Sequence, residues 1–189
     1  MPILGILASA ITGNLVTNSY ESIATVTVGG GGSSSISFSS IPSTFTHLQI
    51  RLLARTNDTD AGLDYAKLRF NSDSGANYAL HQFFGTGATV TSFGNASQNE
   101  IWVQRMANDY LTAGMFAGSI VDILDYANTS KYKTTRGLGG VDGNGSGRIY
   151  FSSGLWQNTN AISSLVITPG SGTTFLQYSQ FALYGIKGS

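Results

Sequence analysis

The densest chemistry-bearing cluster in the sequence lies in residues 57–64, where Asp58, Asp60 and Asp64 place three carboxylates within seven positions. Alternating oxygens of this kind suit a hard cation such as calcium, but the twelfth position counted from Asp58 is Arg69, where an EF-hand loop needs a bidentate Glu. A polar turn is the expected reading. Residues 141–147 pose the same question, with Asp142, Asn144 and Ser146 interleaved with glycines, and receive the same answer, because Asx side chains bond their own backbone and Gly supplies positive φ. No metal site is expected from either loop.

For proton transfer and nucleophilic attack the sequence offers little. His47 and His81 fall on different expected strands, each without a neighbouring acid or a second His at ligand spacing. No Gly-x-Ser-x-Gly elbow or Ser-x-x-Lys is present, and the complete lack of Cys removes thiolate nucleophiles, thiolate metal sites and disulfides together. Paired carboxylates for glycoside hydrolysis remain open, since such pairs meet only in the fold. Glu21 and Glu100 are the two glutamates. The glycines at 29–32 precede serines and a strand rather than Lys-Ser/Thr and a helix, so they cradle no phosphate. Asn57, Asn95, Asn128 and Asn144 each open an Asn-x-Ser/Thr triplet, as chance allows in a chain so rich in these residues.

Aromatic residues carry more information. Tyr65 and Tyr78 are expected to point outward, where an exposed ring stacks on a sugar or a protein partner. Trp102 is assigned to the core, and Trp156 is left unplaced.

The elements that position these residues are strands. Period-two alternation recurs along most of the chain, and no stretch of helical length keeps a 3.6 period with caps. Residues 47–55 alternate Leu48, Ile50, Leu52 and Ala54 against His47, Gln49 and Arg51. Residues 65–71 set Ala66, Leu68 and Phe70 against Tyr65, Lys67 and Arg69. Further strands are expected at 23–28, 35–40, 78–84, 100–105, 115–124, 131–138, 148–152, 162–168 and 179–186, with Pro42 closing the second. Turn clusters separate them. The pattern predicts one antiparallel β-sandwich domain over residues 20–189.

Charged residues make up 11% of the 189, and ten acids balance ten bases. Against the roughly 25% of an average domain, such a surface neither repels itself nor attracts nucleic acid. The longest apolar stretch, at the N-terminus, is too short to span a bilayer and lacks a basic start, so neither a membrane span nor a signal peptide is expected, although Ala8-Ser-Ala10 imitates a cleavage site. Residues 1–19 read instead as an arm, whose Ile3, Leu4, Ile6, Leu7 and Ile11 need cover from their own domain or from a neighbouring subunit.

The segments Pro2-Ile-Leu-Gly-Ile-Leu-Ala-Ser9, Tyr20-Glu-Ser-Ile-Ala-Thr-Val-Thr-Val-Gly29, residues 41–51, residues 122–133 and Phe181-Ala-Leu-Tyr-Gly-Ile-Lys187 together resemble a family of small structural proteins of tailed bacteriophages. The similarity spans nearly the whole chain and rests on scaffold and turn signatures rather than on a catalytic motif. It implies a virion component with a jelly-roll-like β-sandwich. The expected role is a capsid decoration, or cement, subunit: not an enzyme, needing no cofactor, associating as a homo-oligomer with three-fold stoichiometry, and docking on the major capsid protein or on a tail protein of the same virion. The rival is a tail-fibre module that recognises host glycans through exposed aromatics. A glycan-processing enzyme ranks last.

Overall fold

The computed structural model describes residues 19–188, so the arm residues Ile3, Leu4, Ile6, Leu7 and Ile11 lie outside the described residues. Twelve strands form two antiparallel sheets and there is no helix among the described residues. In chain order these are β1 (Tyr20–Thr27), β2 (Ile36–Phe38), β3 (His47–Ala54), β4 (Asp64–Phe70), β5 (Tyr78–Gly85) and β6 (Val90–Gln98). There follow β7 (Ile101–Met106), β8 (Ala117–Leu124), β9 (Lys133–Asp142), β10 (Gly147–Trp156), β11 (Leu165–Pro169) and β12 (Gln180–Ile186). The large sheet runs β1-β12-β3-β8-β9-β10-β5-β6 and the small one β2-β11-β4-β7.

The pairing is nested. β1 pairs with β12, β2 with β11, β3 with β8 and β4 with β7, as if one long hairpin had been rolled up, which is the jelly-roll arrangement. Two hairpins are inserted into it, β5–β6 between β4 and β7 and β9–β10 between β8 and β11, and both extend the large sheet beyond β8. Alternation sets the faces: Leu48, Ile50 and Leu52 of β3 and Ala66, Leu68 and Phe70 of β4 all point into the space between the sheets and are buried.

Over the inserted hairpins the layers meet differently. β7 lies across β9 and β10, and polar side chains fill the gap. The Gln104 Nε2 donates to Ser152 Oγ at 3.2 Å, Ser152 Oγ donates to the Val103 carbonyl at 2.7 Å, and Gln82 Nε2 donates to the Trp102 carbonyl at 2.5 Å. The approach is close enough that a Cβ at Gly139 would sit 2.1 Å from Ser119 Oγ and 2.6 Å from Gln104 Oε1, so only glycine fits there.

Two buried cations hold the loops. Arg55 directs its guanidinium at the β7–β8 loop, donating to the carbonyls of Leu111, Thr112 and Met115 and to Asp109 Oδ1. Lys133 is fully buried, and its Nζ donates to the carbonyls of Asn128, Lys131 and Thr159 at 2.5, 2.8 and 2.9 Å, clamping the turn before β9 to the loop after β10. Burial holds its ammonium pKa below the usual lysine value.

Tyr78 departs from expectation. It opens β5 on the inward phase with Leu80 and Gln82, is fully buried, and its ring stacks 6.3 Å from Trp156. Its hydroxyl accepts the Phe70 N–H at 3.1 Å and donates to the Asp73 carbonyl at 3.1 Å. Burial pushes the phenol up to about 12. Trp156 lies in the same core cluster, and its indole N–H donates to Asp73 Oδ2 at 2.7 Å. Trp102, expected in the core, lies on the outer face of the small sheet and is half-buried, because Ile101 and Val103 take the inward positions beside it and a bulge follows at Val103.

Lys133→Met keeps the stem but leaves the carbonyls of Asn128, Lys131 and Thr159 without their shared donor, and is expected to cost about 2 kcal/mol, lowering Tm by roughly 4–8 °C in a thermal melt. The Trp156 hydrogen bond, with help from the Gly75 N–H and Asn77, outweighs desolvation and holds the Asp73 pKa below its ordinary value of 3.8. Stabilisation from this carboxylate is therefore complete above that value and is lost as pH falls through the folded-state pKa. Asp73→Asn is expected to flatten the decline of stability below about pH 4 in urea titrations followed by tryptophan fluorescence, and an unchanged acid limb would count against this linkage.

Candidate functional site

The acids of residues 57–64 turn toward their own scaffold. Asp64 is buried and accepts N–H groups from Tyr65 at 2.7 Å, Ser171 at 2.8 Å and Gly172 at 3.1 Å. Asp58 Oδ2 accepts from Asn108 Nδ2, and Asn57 Oδ1 accepts the N–H groups of Thr173 and Thr174. This loop is thus tied to residues 170–174 as a polar turn. In residues 141–147, Asp142 Oδ1 accepts the Asn144 N–H at 2.9 Å, and Asn144 and Gly145 have positive φ. Among the described residues no three His, Cys, Asp or Glu side chains converge to hold a metal ion.

His47 is brought to an acid that sequence spacing hides, Asp125 at the end of β8. Its Nδ1 accepts the Asp125 backbone N–H at 2.9 Å, so the 3.6 Å approach to Asp125 Oδ1 shares no proton. That carboxylate is hydrogen-bonded to Lys131 at 2.7 Å, which holds its pKa low. His81 is exposed on the outer face of the large sheet, laterally between Ser153 and Gly94. Glu100 forms ion pairs with Lys67 at 3.4 Å and Arg69 at 2.9 Å. His47, Asp125 and Glu100 thus serve structural contacts.

Tyr65 points outward as expected and is half-buried. Its ring lies 4.6 Å from Trp102, with the Arg105 guanidinium 5.1 Å and the Lys67 ammonium 5.7 Å from its centroid. Phe93 of β6 packs 6.2 Å from Trp102 where the edges of the two sheets meet. Tyr78, paired with Tyr65 on sequence grounds, contributes nothing to this cluster because it is in the core.

The most distinctive surface was not anticipated. On the outer face of the large sheet the ladder registers align Ile120 of β8, Leu138 of β9, Phe151 of β10 and Phe83 of β5 in one lateral row. All four project into solvent, and Phe83 and Phe151 stack at 5.6 Å. The next row reads Leu53, Gly118, Gly140, Ile149, Gly85 and Val90. Leu53, Phe83, Ile120, Leu138, Ile149 and Phe151 are each 44–60% exposed. On the other side runs a polar row of Gln49, Asp122, Arg136, Ser153 and His81, in which Asp122 accepts from Gln49 and Arg136.

A bare aliphatic and aromatic row with a polar flank has the anatomy of a contact surface. The sequence did carry a signal for it. Ser119-Ile-Val-Asp-Ile-Leu124 and Leu80-His-Gln-Phe-Phe84 place apolar residues on both phases of the strand, which in an antiparallel sheet marks a second face that needs cover.

The chain matches no protein-family model, and no curated protein matches it. Because the oxygens of Asn57, Asp58 and Asp64 are committed to backbone and amide donors, calcium and a chelator are expected to give the same Tm. A rise of several degrees in millimolar calcium would assign the 57–64 loop to a metal after all.

Proposed function

We propose that this chain is a structural subunit of a tailed-bacteriophage virion, a capsid decoration protein that acts by association with copies of itself and with the major capsid protein, and not an enzyme. The observation that carries this reading is the exposed apolar row across β8, β9, β10 and β5, strands whose inward-facing residues are already buried. Low charge supports it, since little electrostatic repulsion opposes close packing of neighbours. The resemblance of the Tyr20 to Gly29 and Phe181 to Lys187 segments to phage structural proteins supports the virion setting. Residues 1–19, with Ile3, Leu4, Ile6, Leu7 and Ile11, supply a second apolar contact for a neighbouring subunit.

One observation favours a second reading, a tail-fibre module that binds host glycans. The tilted Tyr65–Trp102 pair, half-exposed and flanked by Arg105 and Lys67, offers ring faces and cationic donors of the kind that engage sugars.

Two measurements separate them. Decoration predicts that the protein is recovered on purified particles at the capsid shell, that deletion of residues 1–12 or Phe151→Lys abolishes incorporation, and that a glycan array shows no selective binding. Selective glycan binding lost in Trp102→Ala, together with a distal tail position, would replace decoration by recognition.

A further inference from the structure

The relief of the bare sheet face bears on what covers it. Gly118 is the second residue of β8, a central strand of the large sheet, and as glycine it packs nothing there. The monomer does not require it. Its φ is outside the left-handed region, and a Cβ there would meet nothing within 4 Å. Gly85, in the same lateral row, is equally unconstrained, its nearest contact being Ile149 Cγ2 at 3.8 Å. Glycine kept on a strand with open space above it marks close approach by something outside the chain.

What approaches is suggested by the neighbouring row. The side chains of Ile120, Leu138, Phe151 and Phe83 form a ridge, and beside it the second row alternates projecting Leu53, Ile149 and Val90 with gaps at Gly118, Gly140 and Gly85, a groove of about 560 Å³ opening over the Gly85, Gly140 and Ile149 end. Projecting apolar side chains and glycine gaps thus lie side by side on one face, so a second copy of the same face offers knobs for its gaps and gaps for its knobs. We infer that the outer face of the large sheet is a two-fold interface with a second copy of this chain, in which projecting apolar side chains of each copy seat over the Gly118 and Gly85 gaps of the other.

Area and charge fit that partner. Six side chains about half exposed, at roughly 150–250 Å² for a whole aromatic, leave an apolar patch on the order of 600 Å². With Val90 and the intervening backbone this approaches the ~800 Å² that each partner contributes to a standard interface. No charged residue lies in either row between β8 and β6. The Asp122–Arg136 pair at the flank is already neutralised within the chain, which leaves Arg51, beside Ile120 on β3, as the charge bordering the ridge row. One face serving both partners produces a two-fold pair, whereas the sequence reading expects three-fold stoichiometry.

The inference rests on the assembly reading above but is tested separately, in solution. Light scattering of the full-length chain is expected to give a dimer. Phe151→Lys and Leu138→Lys are expected to give monomers with wild-type circular dichroism and Tm. Gly118→Val is expected to leave Tm unchanged or raised while the dimer dissociation constant rises at least about tenfold. A wild-type monomer overturns the inference, as does a trimer. So does a dimer indifferent to Phe151→Lys and Gly118→Val. Failure of the virion reading has a different signature: the dimer forms as expected, yet the protein is absent from purified particles.

Discussion

The contact on which the rest of the architecture depends is the crossing of β7 over β9 and β10. An eight-stranded sheet faces a four-stranded one, so the small sheet covers the large one only if its edge strand reaches beyond the jelly-roll core. Bulky side chains would hold the layers near their usual ~10 Å separation and leave a step at that edge. The chain instead places Gly137, Gly139 and Ser152 opposite Val103 and Gln104, and hydrogen bonds take over from apolar burial. β9, β10 and β5 are thereby packed against β7, and their outer faces carry three of the four ridge side chains, Leu138, Phe151 and Phe83. A looser crossing would let β9, β10 and β5 twist away and break the row into separate side chains.

Some of this was legible in the sequence. The faces of β3 and β4 could be read directly because Leu48, Ile50, Leu52 and Ala66, Leu68, Phe70 each alternate with polar partners, and period two leaves no choice of inward side. β6 was missed, since Val90-Thr-Ser-Phe-Gly-Asn-Ala-Ser-Gln98 carries too few apolar residues to alternate, and its strand character comes from its ladder with β5. Tyr78 was given the wrong face because the local sequence Tyr-Ala-Leu-His-Gln-Phe-Phe has apolar residues on both phases. What decides its phase is the non-local cluster with Trp156 and Phe70, which no window around residue 78 contains.

The candidate site was less legible for a related reason. Its members, Phe83, Ile120, Leu138 and Phe151, come from four strands and become neighbours only through ladder registers spanning up to 68 residues of chain, from Phe83 to Phe151. Each alone reads as an ordinary strand residue. The polar loops drew attention because their acids are dense in sequence, yet Asp64 and Asn57 spend their acceptors on the backbone of residues 171–174, more than 100 positions away. Density in sequence reported on turn geometry, whereas the functional surface was dispersed.

The scarcity of charge takes on a structural meaning when individual groups are followed. Arg55 and Lys133 are withdrawn into the protein to bind carbonyl oxygens, and Asp64 is withdrawn to bind N–H groups. Glu100, Asp122, Asp125 and Glu21 are each met by a Lys or Arg of the same chain. Much of the chain's charge is therefore spent internally, and under the assembly reading association would rest on shape and apolar area. In a freely diffusing monomer that allocation is a liability, because nothing on the apolar face repels unwanted partners. In a subunit that spends its working life packed against others, the same allocation is favourable: loops are fixed by internal ions, and the surface that meets a neighbour needs no desolvation of charge.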